Sequence, residues 1–323
     1  MLWKTEFESE LTQVFRDAER LIDAFPAPLN AKGRAYLHAF NPLNPSAKKN
    51  HICYLLPFWM RPVADLEAER YRQLSLANVF VMLYFFIQDD LMDEAPAGWK
   101  EQLALGNLFH LGMLDLYRAL FGHASPFWRY FRDYVTAWSL AVAYESPSGS
   151  LVPGELARKA APVKLASTGA LLLAGRAELE PAVSEAVDLT LATLQMADDW
   201  SDWEEDFDRR NANGLVGMIE AEHRAAGLRL PLEKHAIQAA IHVDGALVRY
   251  AQAAKANGDA LVGLGLPLRH LSAFHDYLAD GLSASAERLS DTKKRLLGGG
   301  FAYWLSQYQA ETAGINPMKD GPH

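Results

Sequence analysis

Apolar residues recur at helical spacing along most of the chain, and no stretch alternates as a strand bounded by hairpin turns would. From Phe7 to Phe25, the positions Leu11, Val14, Phe15, Ala18 and Leu21/Ile22 share one face, and Pro26-Ala27-Pro28 stops the pattern. The turn-rich segment Asn41-Pro42-Leu43-Asn44-Pro45-Ser46 leads to a further helix near Lys48. Helical patterns then cover roughly 64–92, 99–121, 126–144, 154–178, 181–208, 213–226, 231–256, 266–289 and 291–311. Pro126, Pro153, Pro181 and Pro231 stand near helix starts, where a missing N–H costs little. Pro162 lies inside Arg158 to Gly175 and predicts a kink or break there. Segments 79–90 and 189–200 are apolar nearly all round, as buried central helices are. The pattern predicts an all-α fold, a single-domain bundle of about ten helices over residues 1–323, with 1–6 and 314–323 frayed.

Both central helices end in acid. Gln88-Asp89-Asp90-Leu91-Met92-Asp93-Glu94 follows the apolar run Val79 to Ile87, and Asp198-Asp199-Trp200-Ser201-Asp202-Trp203-Glu204-Glu205-Asp206 follows Leu189 to Ala197. At helical spacing Asp89 and Asp93 share a face, as do Asp198, Asp202 and Asp206. Like charges one turn apart repel, so neither cluster helps its own helix. A cationic partner is expected, and hard divalent metal ions that take oxygen ligands are the natural candidate. Mg²⁺ shares its coordination with substrate phosphates, so a diphosphate is the expected ligand and leaving group. Tyr84, Phe85, Phe86, Trp200, Trp203 and Phe207 are near enough in sequence to line an apolar, aromatic cavity that shelters a reactive cation.

Composition narrows the setting. Half the residues are hydrophobic and 22% are charged, an ordinary globular balance. The single cysteine, Cys53, excludes an intramolecular disulfide and a cysteine-rich metal site. The net charge is −9 and the basic residues are scattered, so no nucleic-acid partner is expected. The start Met1-Leu2-Trp3-Lys4-Thr5-Glu6 lacks a secretory pattern, and the longest apolar run has nine residues, too short to span a bilayer. No integral membrane segment and a cytoplasmic location are expected. A ferritin-like di-metal bundle needs two Glu-x-x-His motifs. Glu220-Ala221-Glu222-His223 is the one fit, and His110, His123, His242 and His270 read as ordinary helix residues.

Ile87-Gln88-Asp89-Asp90-Leu91-Met92-Asp93-Glu94 resembles the first aspartate-rich motif of the trans-prenyl diphosphate synthases. Leu194-Gln195-Met196-Ala197-Asp198-Asp199-Trp200-Ser201-Asp202 resembles their second. The segment from Lys159-Ala160-Ala161-Pro162-Val163-Lys164-Leu165 to Leu173-Ala174-Gly175 resembles their lysine-bearing helix. The resemblance runs from about Ala47 to Asp208 and extends to the class I isoprenoid synthases, which include the terpene cyclases. It implies an isoprenoid synthase fold, helices around a central apolar cavity, and a substrate that is a prenyl diphosphate. It implies that Asp89 and Asp93 bind two Mg²⁺ ions with Asp90 in support. Asp198 and Asp202 then bind a third, beside Asp199, with Asp206 as an extra ligand. It places Lys159 at the diphosphate, with Lys164 as the competing choice, and brings Arg209 and Arg210 within reach of the phosphates. Arg209 and Arg210 serve equally as cations at a helix C-terminus. A homodimer is the usual arrangement in the resembled family.

The chain departs from the elongating enzymes at the site for a second substrate, isopentenyl diphosphate. Ala47-Lys48-Lys49-Asn50-His51 is the nearest match to their early Gly-Lys-Arg-x-Arg segment. Lys48, Lys49 and His51 are the diphosphate-binding candidates there, and lysine lacks the planar fork of arginine. No Arg-Arg pair follows the first motif in Asp93 to Lys100. The expected activity is therefore that of a class I terpene synthase: ionisation of one short prenyl diphosphate, then cyclisation or quenching of the cation. Chain elongation and an inactive partner subunit are the alternatives. The all-aspartate second motif favours elongation. Tyr84 and Phe85 lie about one turn before Asp89, which implies a C10 or C15 chain.

Overall fold

The computed structural model describes residues 2–44, 51–93, 97–144 and 150–312, and no strand occurs among them. The helices are α1 (Leu2–Thr5), α2 (Glu8–Asp23), α3 (Leu29–Phe40), α4 (His51–Trp59), α5 (Ala68–Asp93), α6 (Trp99–Leu120), α7 (Phe127–Ala143) and α8 (Pro153–Leu156). After a 3-10 segment, Ala157–Val163, come α9 (Lys164–Leu173), α10 (Glu180–Arg209), α11 (Gly214–Ala225), α12 (Lys234–His242), α13 (Ala246–Gly263) and α14 (Arg269–Thr312). The protein is all-α, as the periodicity predicts.

The chain forms two compact units. The first is drawn from Met1–Ser146, Ser150–Gln195 and Ala256–Leu278, the second mainly from Met196–Lys255 and Ala279–His323. The first motif lies in the first unit and the Asp198 to Asp206 motif in the second.

In the first unit, α5 packs against α6, α4 and α2, with Leu74, Ala77, Phe80, Val81, Leu83 and Ile87 buried. Over Ala68–Met92 this helix is long and apolar enough to cross a membrane by length and composition alone, but these contacts make it the core of its unit. Its junction with α4 turns on Pro57, which lies inside α4 and has no N–H to give the Cys53 carbonyl one turn back. Asn78 of α5 donates to that carbonyl instead, and Ser75 Oγ donates to the Tyr54 carbonyl at 2.8 Å. All the polar atoms so paired are buried, so the proline's missing bond is replaced from the neighbouring helix.

Several boundaries differ from the periodic pattern. Helix α3 is not foreshadowed, because its buried face is thin: Gly33, Leu37 and Phe40. It is set by close approach to α2, where a Cβ on Gly33 would meet Ile22 Cγ2 at 2.7 Å. The helix expected over 231–256 is two helices, α12 and α13, separated at Gly245, whose φ of 74° suits glycine. The break expected near 290 is absent; α14 continues to Gly300, where φ is 62°. Pro162 does interrupt its segment: Ala157–Val163 is 3-10, and regular α-helix begins only at Lys164. Among the described residues of 1–6, expected to fray, Leu2–Thr5 is helical and Trp3 is buried. Its ring lies 5.0 Å from Phe274 and its carbonyl accepts from Trp59 Nε1 at 3.0 Å. The expectation for 314–323 lies outside the described residues.

The replacement bond at Pro57 is testable. Asn78→Ala should lower the stability of the first unit by about 2 kcal/mol, because it removes a buried donor from a buried carbonyl. The check is the urea midpoint of that unit's unfolding; an unchanged midpoint contradicts the account.

Candidate functional site

The second acidic segment occupies the last turns of α10. One face carries Asp199, Trp203 and Asp206, which sit at positions i, i+4 and i+7 and point into the second unit. Asp199 and Trp203 are buried. The Asp199 carboxylate accepts from Tyr250 Oη at 2.8 Å and from the Gly214 N–H at 3.0 Å. Asn213 is the N-cap of α11; its side-chain oxygen accepts from the N–H groups of Leu215 and Val216. Its amide nitrogen donates to the Asp199 carbonyl at 2.8 Å and to the Asp206 carboxylate at 2.9 Å. A side chain at position 214 would displace the Asp199 carboxylate, since a Cβ there would lie 2.6 Å from Asp199 Oδ2.

The exposed acids downstream are neutralised by cations. Lys234 pairs with Asp208 at 2.7 Å and with Glu204 at 3.5 Å. Arg209 pairs with Glu205 at 2.9 Å. Asp198 and Asp202 stand on the other face, one turn apart and exposed. Among the described residues, no hydrogen bond or salt bridge holds either. The surrounding protein, then the charges of Asp202 and Asp199, push the Asp198 carboxyl up to about 7. The residue nevertheless keeps solvent-accessible surface.

The helix ends in a Schellman turn: the Asn211 N–H donates to the Asp206 carbonyl at 2.9 Å and the Arg210 N–H to the Phe207 carbonyl at 3.3 Å. Arg210 sits in the left-handed region that glycine usually fills, with φ 62°. The backbone thus fixes Arg210 on the surface just beyond the motif.

In the first unit, the acidic end of α5 shows a related division. Asp89 is exposed, whereas half-buried Asp90 accepts from Tyr36 Oη of α3 at 2.9 Å. Burial, then the charge of Asp90 and its hydrogen bond, raise the Tyr36 hydroxyl well above its ordinary value. Burial and Asp199 do the same to Tyr250. Asp93 closes α5, and its side chain lies outside what the structure describes.

The aromatics expected to line a cavity diverge. Phe85, four residues before Asp89 and on its face, is buried edge-on to Trp138 of α7 at 4.6 Å. Tyr84 turns to α6 and stacks on His110 at 4.9 Å. Phe86 turns to α3 and stacks on Phe40 at 4.6 Å. Trp200 is half-buried on α10 in the second unit. The sequence reading missed Trp138 and Tyr36, which reach α5 only through tertiary packing.

The basic candidates separate as well. Lys164 is committed to Asp188 at 2.9 Å and lies over the Tyr134 ring at 4.9 Å. Lys159 is half-buried in the 3-10 segment, which packs against α7 and α5. Lys48 and Lys49 lie outside the described residues. His51, expected at a phosphate, is instead buried in α4 edge-on to Trp3 at 5.2 Å.

Among the described residues, no three carboxylate, imidazole or thiol side chains converge as a ready-made metal site. Mg²⁺ does not require one, because it binds through one or two carboxylates plus water and phosphate. The mutually repelling Asp198 and Asp202, with no ion-pair partner among the described residues, are donors that fit it. No family model, curated protein or solved structure matches the chain.

Asp198 titrates near 7 in the fold against an ordinary value of 3.8. Charging it therefore costs stability, fully above pH 7 and progressively less as pH falls towards the ordinary value. Asp198→Asn should raise the melting temperature of the metal-free protein at pH 8, and by less at pH 5; scanning fluorimetry showing no gain at pH 8 refutes this. Arg210→Gly should stabilise the second unit by about 1 kcal/mol through relief of the left-handed backbone. A lower denaturation midpoint would contradict that strain.

Proposed function

We propose that the protein is a Mg²⁺-dependent class I terpene synthase that ionises a short-chain prenyl diphosphate and lets the cation cyclise or be quenched. The observation that carries the reading is the pairing of Asp198 and Asp202: exposed carboxylates on a rigid helix, while the other acids of the segment are tied into the fold. A like-charged pair one turn apart destabilises its helix by roughly 0.2–0.5 kcal/mol, a cost that a bound cation would offset.

In this reading Asp198 and Asp202 of α10 hold Mg²⁺ together with the substrate's diphosphate, and the sequence resemblance assigns Mg²⁺ binding to Asp89 and Asp93 of α5 as well. Mg²⁺, when bound, offsets the charge that develops on the diphosphate as its C–O bond breaks. Lys159 in the first unit and the surface arginines Arg209 and Arg210 in the second are the basic residues that the resemblance assigns to a diphosphate. The exposed pair of Arg209 with Glu205 is weak, because solvent screens it. The ring of Phe85, backed by Trp138, supplies an apolar, cation-tolerant surface on the face of α5 that carries Asp89. Tyr84 and Phe86 are occupied by α6 and α3, so Phe85 is the residue of the three that we assign to substrate length, for a C10 or C15 chain.

The burial of His51 supports ionisation of one substrate over condensation of two, because it withdraws one candidate for a second diphosphate site. Incubation with geranyl, farnesyl and geranylgeranyl diphosphate, with and without isopentenyl diphosphate, tests the reading. Hydrocarbons or alcohols should form from the C10 or C15 substrate with Mg²⁺ and without isopentenyl diphosphate. Longer diphosphates, formed only in its presence, would replace this function with chain elongation. No turnover of any substrate would leave an inactive subunit. Asp89→Ala and Asp198→Ala should each lower kcat at least about 100-fold, as loss of charge stabilisation in a transition state does. Wild-type kcat in either variant removes that aspartate from the mechanism.

A further inference from the structure

Each motif opens with two adjacent aspartates, and the structure treats the two members differently. In each pair the first, Asp89 or Asp198, is exposed. In each pair the second accepts a hydrogen bond from a tyrosine hydroxyl far away in sequence: Tyr36 to Asp90 at 2.9 Å, and Tyr250 to Asp199 at 2.8 Å. Adjacent residues on a helix point about 100° apart, so one aspartate held inward leaves the other turned out of the packing. We propose that Tyr36 and Tyr250 are positioning residues: each latches the second aspartate of its pair and so fixes the helical rotation at which the first meets the metal. The inference rests on the metal–diphosphate reading above and deepens it, since it takes Asp90 and Asp199 out of the ligand set.

The latch in the second unit is the more elaborate. Tyr250 is fully buried, so its hydroxyl needs a partner, and the Asp199 carboxylate accepts from it and from the Gly214 N–H through the same oxygen. Asn213 then uses both amide hydrogens on α10, at the Asp199 carbonyl and the Asp206 carboxylate. Rotation of this end of α10 would break four hydrogen bonds together. The latch in the first unit is lighter. Tyr36 is half-buried, and its ring stands beside Phe40, which stacks on Phe86 of α5. Asp90 and Phe86, one turn apart, are thus held from the same helix, α3.

A positioning carboxylate needs an oxygen in the right place, whereas a metal ligand needs negative charge. Asparagine keeps the first and loses the second, which separates the roles. The probe is Mn²⁺ with inorganic pyrophosphate on the full chain, with free Mn²⁺ read by electron paramagnetic resonance. Asp90→Asn and Asp199→Asn should keep Mn²⁺ affinity within about threefold of wild type, while Asp89→Asn and Asp198→Asn weaken it about 100-fold; Tyr36→Phe and Tyr250→Phe should weaken it roughly tenfold, as loss of outer-shell partners does. Equal losses in first- and second-position asparagine variants overturn the latch, and so does unchanged affinity in both tyrosine variants. Should Tyr250→Phe fail to fold, the comparison of Asp198→Asn with Asp199→Asn decides alone. Wild-type protein that binds no Mn²⁺ with pyrophosphate overturns the metal reading and the latch together. Intact wild-type binding with equal asparagine losses overturns the latch only.

Discussion

The repulsion between Asp198 and Asp202, one turn apart with no ion-pair partner among the described residues, is the constraint on which the second unit's candidate site depends. A fold has simple ways to remove such repulsion, and this one uses them all nearby. Asp199 and Asp206 turn inward onto hydroxyl and amide donors, and Glu204, Glu205 and Asp208 meet Lys234 or Arg209. The same segment leaves Asp198 and Asp202 without an ion-pair partner among the described residues and raises the proton affinity of Asp198; in the proposed function this is stability given up for binding a cation. The cost is tolerable because the turn carrying it is held by buried bonds to Tyr250, Gly214 and Asn213.

Much of the fold was legible in the chain. The periodic segments yield α2, α6 and α7, where one buried stripe leaves a strong signal, and the long apolar runs yield the central parts of α5 and α10. The pattern was silent where a helix is fixed by a neighbour rather than by its own stripe. Helix α3 is such a case: its glycine lets it approach α2, and no periodic signal announces that contact. Breaks made by positive-φ glycines, at Gly245 and Gly300, were equally hidden, since neither glycine differs in sequence from those that sit inside helices.

The candidate site was legible as composition and less so as geometry. Spacing grouped Asp206 with Asp198 and Asp202. Eight residues advance a helix about 80° past two full turns, whereas seven fall about 20° short of them, so Asp206 aligns with Asp199 instead. It spends its carboxylate on Asn213 and Asn211. The tyrosines that hold Asp90 and Asp199 come from α3 and α13, more than fifty residues away in each case. Pairings of that range are set by packing and leave no local trace. The same holds for His51, whose neighbouring lysines suggest a phosphate site but whose ring packs against Trp3.

The central claim is that Asp198 and Asp202 bind divalent cations carried with a diphosphate. A ligand that binds only the folded protein raises its melting temperature in proportion to occupancy. The most direct measurement is the melting temperature of wild-type protein and Asp198→Asn with Mg²⁺, pyrophosphate, or both. The account predicts a rise in wild type when both are present, and little or none in Asp198→Asn. No rise in wild type, or the same rise in both proteins, would contradict it.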